Sequence, residues 1–290
     1  MAVVGCGTIG HGIAQVLATA GHRVWACDED AHAQDVAADR VRRSMARLVS
    51  KGTLTEDHAR TALGNLRWTT DLRRAVRSVR LLVESVPEDL RVKANVLRAA
   101  DRLLPPTAVI ATNTSQFAIG RLARFTHRPD RLIGTHWFPP PQLVRVVELV
   151  PGPGTSPSTL RWTMRFLRNA GREPVVVADG PGFVTSRIIL ALLAEGMRVV
   201  DEGQADPAVA DLLMTRAFSL PRGPLAMADF AGLDTILDAL KGLEAELGKR
   251  FSPPEILRRL VREGRLGVKS GHGFHRYSHA RRPDSPNAGQ

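Results

Sequence analysis

The stretch GCGTIG, Gly5 to Gly10, constrains this chain most because it lies between a short apolar strand, AVV, and a helical pattern. Its glycines have the spacing G-x-G-x-x-G, which is typical of a turn that binds the pyrophosphate of a dinucleotide. Gly5 permits the tight turn, Gly7 lets backbone amides approach the phosphates, and Gly10 lets the helix pack closely. The alternative is a glycine turn without a ligand, which the flanking strand and helix disfavour.

An acidic residue, Asp28, closes the second apolar strand eighteen residues after Gly10. A carboxylate at this place accepts hydrogen bonds from the hydroxyls of an adenosine ribose and repels a 2′-phosphate. The sequence therefore predicts NAD rather than NADP as the cofactor. The first strand has only three residues after Met1, which leaves open whether the natural chain begins upstream.

Short Val, Ile and Leu runs alternate with helical patterns from residue 2 to about residue 150. This alternation is typical of a parallel sheet with helices on both faces, so we expect a Rossmann-type doubly wound α/β domain over residues 1–180. The expected strands are AVVGC, HRVWACD, LRWTT, VRLLVESV, AVIATN, RLIGTHWF, VRVVELV and EPVVVAD.

The pattern becomes helical throughout after the stretch DGPGF. Residues 181–277 are expected to form an all-α C-terminal domain, whose apolar stripes are wide enough to pack against each other and against a second subunit. The chain is therefore expected to be a homodimer. Residues 278–290 are polar and contain proline, and we expect them to be disordered.

Charge and composition narrow the class of protein further. The 40 Lys and Arg residues against 29 Asp and Glu give a net charge of +11, but the basic residues are scattered along helices and aromatic residues make up only 5%. This pattern disfavours nucleic acid binding. No membrane-spanning run or secretory signal pattern is visible, so we expect a cytoplasmic protein. Cys6 and Cys27 are predicted to be buried free thiols, with no disulfide or metal-ligand spacing.

One histidine, His136, comes at the end of the apolar stretch RLIGTHWF, ahead of three prolines. Ligands bind outside the carboxyl ends of strands in a doubly wound sheet, so a catalytic base is expected there. Glu148, twelve residues on in the next strand, would fix the imidazole tautomer and stabilise the imidazolium. Ser115, in ATNTS, would donate a hydrogen bond to the substrate oxygen from which His136 takes a proton. Each residue also has a purely structural alternative: His136 as a packed ring, Glu148 as a surface acid and Ser115 as a helix N-cap.

Seven motifs carry a resemblance to a known family. They are GCGTIGHG, ESVPEDLRVK, ATNTS, GTHWFPPP, VVELV, GPGFVTSR and GVKSGHGF, in order between about residue 2 and residue 277. Together they resemble the 3-hydroxyacyl-CoA dehydrogenases, including bacterial 3-hydroxybutyryl-CoA dehydrogenases. The resemblance implies a Rossmann domain followed by a helical dimerisation domain, with His136 as the base, Glu148 as its partner and Ser115 as the oxyanion-side donor.

Five further residues match family positions that contact ligands. Those that match cofactor contacts are Glu88, Lys93 and Lys269 in GVKSG. Those that match coenzyme A contacts are Ser44 and Lys51, although Lys51 at a helix end is also favoured there by the helix dipole alone.

Two positions depart from the family pattern. Pro139 stands where the family has an asparagine after the His-aromatic-Phe run, and Ser186 stands where it has an asparagine before Arg187. Proline has neither a side-chain amide nor a backbone N–H, whereas serine keeps a donor and an acceptor on a shorter side chain. Ser186 therefore remains a candidate substrate contact, and the pair of changes points to an altered specificity or to decay.

The resemblance implies an NAD-dependent oxidation of the 3-hydroxyl of an acyl thioester to the 3-oxo compound, or the reverse. The acyl carrier is coenzyme A or the phosphopantetheine arm of an acyl carrier protein. Two alternatives stay open: a dehydrogenase of a free polar hydroxy acid, as in the related carnitine and gulonate dehydrogenases, and a dinucleotide-binding dimer that has lost catalysis.

Overall fold

Short apolar-rich runs form the eight strands found in residues 1–277, the part of the chain that the computed structural model describes. The four central strands are buried throughout, because helices cover both faces of the sheet. The strands are β1 (Ala2–Val4), β2 (Val24–Cys27), β3 (Leu66–Thr69), β4 (Leu81–Glu84), β5 (Val109–Thr112), β6 (Leu132–Trp137), β7 (Val146–Pro151) and β8 (Glu173–Val176). The tail that we predict to be disordered, residues 278–290, lies outside the described residues.

The strand order is β3-β2-β1-β4-β5-β6-β7-β8, so the Rossmann-type expectation is confirmed. Every neighbouring pair from β3 to β6 is parallel. The expectation of a parallel sheet is wrong for VRVVELV, because β7 runs antiparallel to β6. The physical reason is the connection: residues 138–145 contain no helix, and a parallel crossover needs a dozen or more residues.

Five of the seven helices between the strands begin at a side-chain cap. Thr55 accepts a hydrogen bond from the His58 amide at the start of one helix, and Ser156 caps another that has Pro157 in its first turn. The seven helices are α1 (Gly10–Thr19), α2 (Ala31–Ser50), α3 (Glu56–Gly64), α4 (Leu72–Val76), α5 (Leu90–Leu103), α6 (Ile119–Leu122) and α7 (Pro157–Asn169).

The sheet separates two apolar cores. On one face, α1 and α7 cover Ile133 and Trp137 of β6. On the other face, α5 and α6 cover Leu132 and Val150. Each fully buried Leu or Ile contributes about 1.5–3 kcal/mol, so this two-sided burial holds the sheet in place and fixes which side chains remain at its carboxyl edge.

A second compact unit begins at Val184 and is helical. Its helices are α8 (Thr185–Asp201), α9 (Pro207–Phe218), α10 (Pro224–Ala231), α11 (Leu233–Leu247) and α12 (Glu255–Arg262). Gly232 ends α10 after eight residues. None of the helices in the described part of the chain combines the length and apolar character that a bilayer crossing requires.

Asp101, near the end of α5, fixes the loop that precedes β6. Its carboxylate is buried and accepts hydrogen bonds from Thr126 Oγ1 at 2.7 Å and from Arg128 Nε at 2.9 Å, and His127 Nδ1 lies 2.8 Å away. Burial alone raises the pKa of Asp101, but the bonds from Thr126 and His127 and the charge of Arg128 outweigh it and lower the pKa to about 2.

We predict that Asp101→Asn lowers the free energy of unfolding at pH 7 by about 2 kcal/mol. Because the folded pKa is depressed, this contribution is complete above the ordinary value of 3.8 and is lost as the pH falls toward 2. Urea unfolding of both proteins between pH 7 and pH 3 measures the difference, which narrows as the pH falls below 4. A difference in the free energy of unfolding that stays constant from pH 7 to pH 3 contradicts the lowered pKa assigned to Asp101.

Candidate active site

The glycine turn between β1 and α1 leaves no room for a side chain at Gly5 or Gly10 but is open at Gly7. Gly5 has φ +92° and donates its amide to the Cys27 carbonyl at 2.8 Å. A Cβ at Gly5 would lie 2.4 Å from the Ser85 carbonyl oxygen, and one at Gly10 would lie 1.8 Å from the Gly5 carbonyl oxygen. A Cβ at Gly7 would meet nothing within 4 Å. The turn is therefore packed against the sheet beneath it and open above Gly7, where a pyrophosphate fits.

Asp28 follows β2 and is held at the edge of this turn. Its Oδ2 accepts a hydrogen bond from the Cys6 amide at 2.7 Å, and its Oδ1 accepts one from the Asp30 amide at 3.2 Å. The carboxylate is half-buried, so it also faces outward. An oriented acceptor beside an open glycine turn fits the ribose diol of NAD.

The two cysteines flank this region and are free and buried, as predicted. Burial, followed by the charge of Asp28, raises the pKa of the Cys6 thiol far above its ordinary value. Burial likewise raises the pKa of Cys27 to about 11. Both thiols are therefore protonated at pH 7 and unreactive.

His136 and Glu148 are paired directly across β6 and β7. Directly opposed residues of an antiparallel pair lie on the same face of the sheet, and His136 Nδ1 is 2.7 Å from Glu148 Oε2. The two residues are 8% and 2% exposed, so Glu148 is not the surface acid of the structural alternative. The rings of Phe138 and Phe183 lie 4.6 Å and 6.1 Å from the imidazole. The carboxylate accepts Nδ1–H, which leaves Nε2 as the nitrogen that accepts a proton.

Ser115 lies in the bend that follows β5, at the sheet edge where β6 also ends, and is half-buried. It is not the N-cap of α6, which is Ala118. The hydroxyl that orders this bend belongs to Thr114, whose Oγ1 accepts the Phe117 amide at 3.0 Å. The neighbouring Asn113 accepts the Trp137 amide at 2.9 Å, which ties the bend to the residue that follows His136.

Glu84 forms an ionic cluster with Glu88 and Lys93, the two residues predicted to contact the cofactor. No role for Glu84 was predicted from the sequence. Lys93 is 0% exposed, and its Nζ lies 2.9 Å from Glu84 Oε1 and 3.4 Å from Glu88 Oε2. Burial lowers the pKa of Lys93, but the two carboxylates outweigh it and raise the pKa above its ordinary value. The sequence feature that marks Glu84 is its place as an acid at the end of the apolar run VRLLVE.

The remaining predicted contacts are placed as follows. Ser44 lies in the C-terminal half of α2, and Lys51 is the residue that caps the C-terminal end of this helix. Ser186 is buried in the first turn of α8, and Lys269 binds both oxygens of Asp234 at 2.5 Å. Ser186 and Lys269 belong to the helical unit, and their roles stay predictions.

Pro139 lies exposed in the loop between β6 and β7, joined to Pro140 by a cis peptide bond. The loop approaches the start of α1 closely, since a Cβ at Gly12 would lie 2.9 Å from Pro141 Cδ and from Gln142 Oε1. The asparagine that the family has at this position is thus replaced without loss of the His136 contact with Glu148.

A doubly wound sheet, an open glycine turn and a carboxylate at the end of the second strand define an NAD-dependent dehydrogenase of the Rossmann class. Comparison with known proteins narrows the class. Residues 1–180 match the NAD binding domain of 3-hydroxyacyl-CoA dehydrogenase, and residues 182–277 match the C-terminal domain of that enzyme.

Several relatives match over nearly their whole length. A probable 3-hydroxybutyryl-CoA dehydrogenase of Bacillus subtilis is 36% identical over 276 residues, 95% of this chain and 96% of that protein. One of Deinococcus radiodurans is 37% identical, over 95% of this chain and 99% of that protein. The crystal structure of (S)-3-hydroxybutyryl-CoA dehydrogenase from Ralstonia eutropha has a TM-score of 0.91 at 34% identity, covering 96% of this chain and 98% of that one. The chain belongs to the 3-hydroxyacyl-CoA dehydrogenase family, and its cofactor is NAD.

We predict that Gly10→Ala weakens NADH binding by about tenfold or more, equal to ~1.4 kcal/mol, because the new Cβ forces the turn away from the Gly5 carbonyl. Titration followed by NADH fluorescence measures the dissociation constant. The matched control is Gly64→Ala, where a Cβ meets nothing within 4 Å. Equal affinities for the two variants would show that the close approach at Gly10 does not shape the cofactor site.

Proposed function

We propose that this enzyme oxidises the 3-hydroxyl of an acyl thioester to the 3-oxo group with NAD, or catalyses the reverse reaction. The observation that carries the proposal is the buried contact of His136 with Glu148 at the carboxyl edge of the sheet that also bears the glycine turn. The relatives from Bacillus subtilis and Deinococcus radiodurans support the substrate class, since both are probable 3-hydroxybutyryl-CoA dehydrogenases.

His136 acts as the base in this proposal. Its Nε2 takes the proton of the 3-hydroxyl while the C3–H bond gives up a hydride and the C=O bond forms. Bound NAD supplies the hydride acceptor. Glu148 holds Nδ1–H at 2.7 Å and stabilises the imidazolium that results. Ser115 donates its hydroxyl to the same substrate oxygen, which orients the 3-carbon toward the base.

The carrier of the acyl group is coenzyme A in this proposal. At the C-terminal end of α2, Ser44 offers a hydroxyl and Lys51 offers an exposed ammonium to a phosphate. A phosphopantetheine arm on an acyl carrier protein presents the same atoms near the reacting carbon, so it is a second substrate to be tested. The changes at Pro139 and Ser186 each remove the amide of the family asparagine, which points to an altered specificity or to decay, so a free polar hydroxy acid is a third substrate to be tested.

We predict that NADH-dependent reduction of acetoacetyl-CoA is measurable and that His136→Ala lowers kcat by about 10²–10⁴-fold, the usual contribution of a general base. Loss of absorbance at 340 nm follows the reaction. His32→Ala, at an exposed position in the first turn of α2, is the matched control and keeps the parental kcat.

Three outcomes contradict this proposal. Turnover of carnitine or gulonate without turnover of any acyl thioester assigns the enzyme to free hydroxy acids. NADH binding without turnover of any substrate assigns the chain to dinucleotide-binding proteins that have lost catalysis. A His136→Ala variant within a few-fold of the parent removes His136 as the base.

We also infer a cytoplasmic homodimer formed through the helical unit. Large apolar side chains are exposed on α8 and α9: Ile188 is 65% exposed, Leu213 is 60% and Phe218 is 68%. Contiguous apolar surface of this kind marks a protein interface. Free cysteines fit a reducing compartment, and NAD and coenzyme A thioesters are available in the cytoplasm.

The predicted dimer is tested by Ile188→Glu, which places a charge on the exposed apolar face of α8. Light scattering coupled to size-exclusion chromatography is expected to give twice the chain mass for the parent and the chain mass for the variant. Lys241→Glu, an exposed charge change on α11, is the control and stays dimeric. A parent that elutes as a monomer contradicts the assembly.

A further inference from the structure

Glu84 is a fully buried carboxylate that the proposed chemistry does not use. It ends β4 and is 0% exposed. Its Oε1 accepts hydrogen bonds from Lys93 Nζ and from the Val86 amide, both at 2.9 Å, and its Oε2 accepts one from Thr112 Oγ1 at 2.6 Å. A buried charge costs several kcal/mol of desolvation unless its partners are well placed, and apolar residues of the same volume often fill such a space at no loss. The stability of the fold therefore does not explain this carboxylate.

Lys93 carries the interaction from Glu84 to a second acid. It lies in the first turn of α5, and its Nζ reaches Glu88 Oε2 at 3.4 Å. Because the whole Lys93 side chain is buried, its ammonium is held between the two carboxylates. The position of Glu88 thus depends on a cation that Glu84 fixes from the other side.

Glu88 binds the residues on both sides of Ser115. Its Oε1 accepts a hydrogen bond from Thr114 Oγ1 and another from the Gln116 amide at 3.2 Å. The same Thr114 hydroxyl oxygen accepts the Phe117 amide at 3.0 Å, which closes the bend. A single carboxylate oxygen therefore binds the side chain of the residue before Ser115 and the backbone amide of the residue after it.

We propose that Glu84 is a positioning residue that acts through Lys93 and Glu88 to hold Ser115 in its productive orientation. The inference rests on the proposed function for the role of Ser115. Its physical basis is competition for Glu88. Among the described residues, Glu88 is the carboxylate that still contacts the Lys93 ammonium when Glu84 is neutral. The stronger pull on Glu88 Oε2 shifts Oε1 away from Thr114 and Gln116.

The kinetic test is a double-mutant cycle of Glu84→Gln and Ser115→Ala. We expect Glu84→Gln to lower kcat at saturating acetoacetyl-CoA and NADH by about tenfold, or ~1.4 kcal/mol in activation free energy. We expect the same substitution to have less than a twofold effect when Ser115 is already alanine, because it acts through the serine hydroxyl. An equal tenfold loss in both backgrounds overturns the inference.

A matched control separates positioning from general destabilisation. Asp101→Asn also removes the charge of a buried carboxylate in α5. The hydrogen-bond partners of Asp101, however, lie in residues 126–128. Measured well below its unfolding temperature, this variant is expected to keep the parental kcat. If Glu84→Gln does not fold, Thr112→Val carries the test in the same cycle with Ser115→Ala, since it removes the hydrogen bond to Glu84 Oε2 and leaves the hydrogen bonds of Glu88 to the bend in place.

A second readout is independent of turnover. Hydrogen exchange of the Gln116 and Phe117 amides is expected to be at least about fivefold faster in Glu84→Gln than in the parent, and unchanged in Asp101→Asn. Unchanged exchange in Glu84→Gln overturns the positioning role even if the enzyme is active. If the parent reduces no acyl thioester, the proposed function fails, and the exchange result still decides whether Glu84 holds the bend.

Discussion

The antiparallel pairing of β6 with β7 is the constraint on which the candidate active site depends. In this register, His136 lies directly opposite Glu148, and a shift of one residue would turn the carboxylate to the other face of the sheet. Two apolar cores hold the register, because Leu132 and Val150 are buried on one face and Ile133 and Trp137 on the other. The contact of His136 with Glu148 thus follows from the pairing of the two strands.

The same carboxyl edge is organised a second time by ionic and polar contacts. Asn113 links the strand end of β5 to the backbone of Trp137, and the cluster of Glu84, Lys93 and Glu88 links β4 and α5 to the bend at Ser115. The glycine turn completes this edge, where the carbonyl of Gly5 leaves no room for a side chain at residue 10. Hydrogen-bonded and closely packed backbone therefore surrounds the edge at which we propose that cofactor and substrate meet.

Steric and periodic patterns made much of the fold predictable from the sequence. The glycine spacing and the acid at Asp28 mark the nucleotide-binding turn because few other residues satisfy its geometry. Strand direction at β7 was not predictable from hydrophobic alternation, since direction depends on connection length rather than on side-chain pattern. The ion pair of Lys93 with Glu84 was not predictable either, because it needs the relative placement of a strand end and a helix. The contact of His136 with Glu148 was expected and is present, whereas the catalytic role of each residue stays a prediction.

The short loop after β6 can be varied separately from the strands that it joins. Buried side chains of β6 and β7 hold the register that places His136 opposite Glu148, and Pro139 lies outside both strands. A combinatorial library confined to residues 138–145 would therefore change the loop while this contact is kept, much as antibody loops diversify on a constant framework.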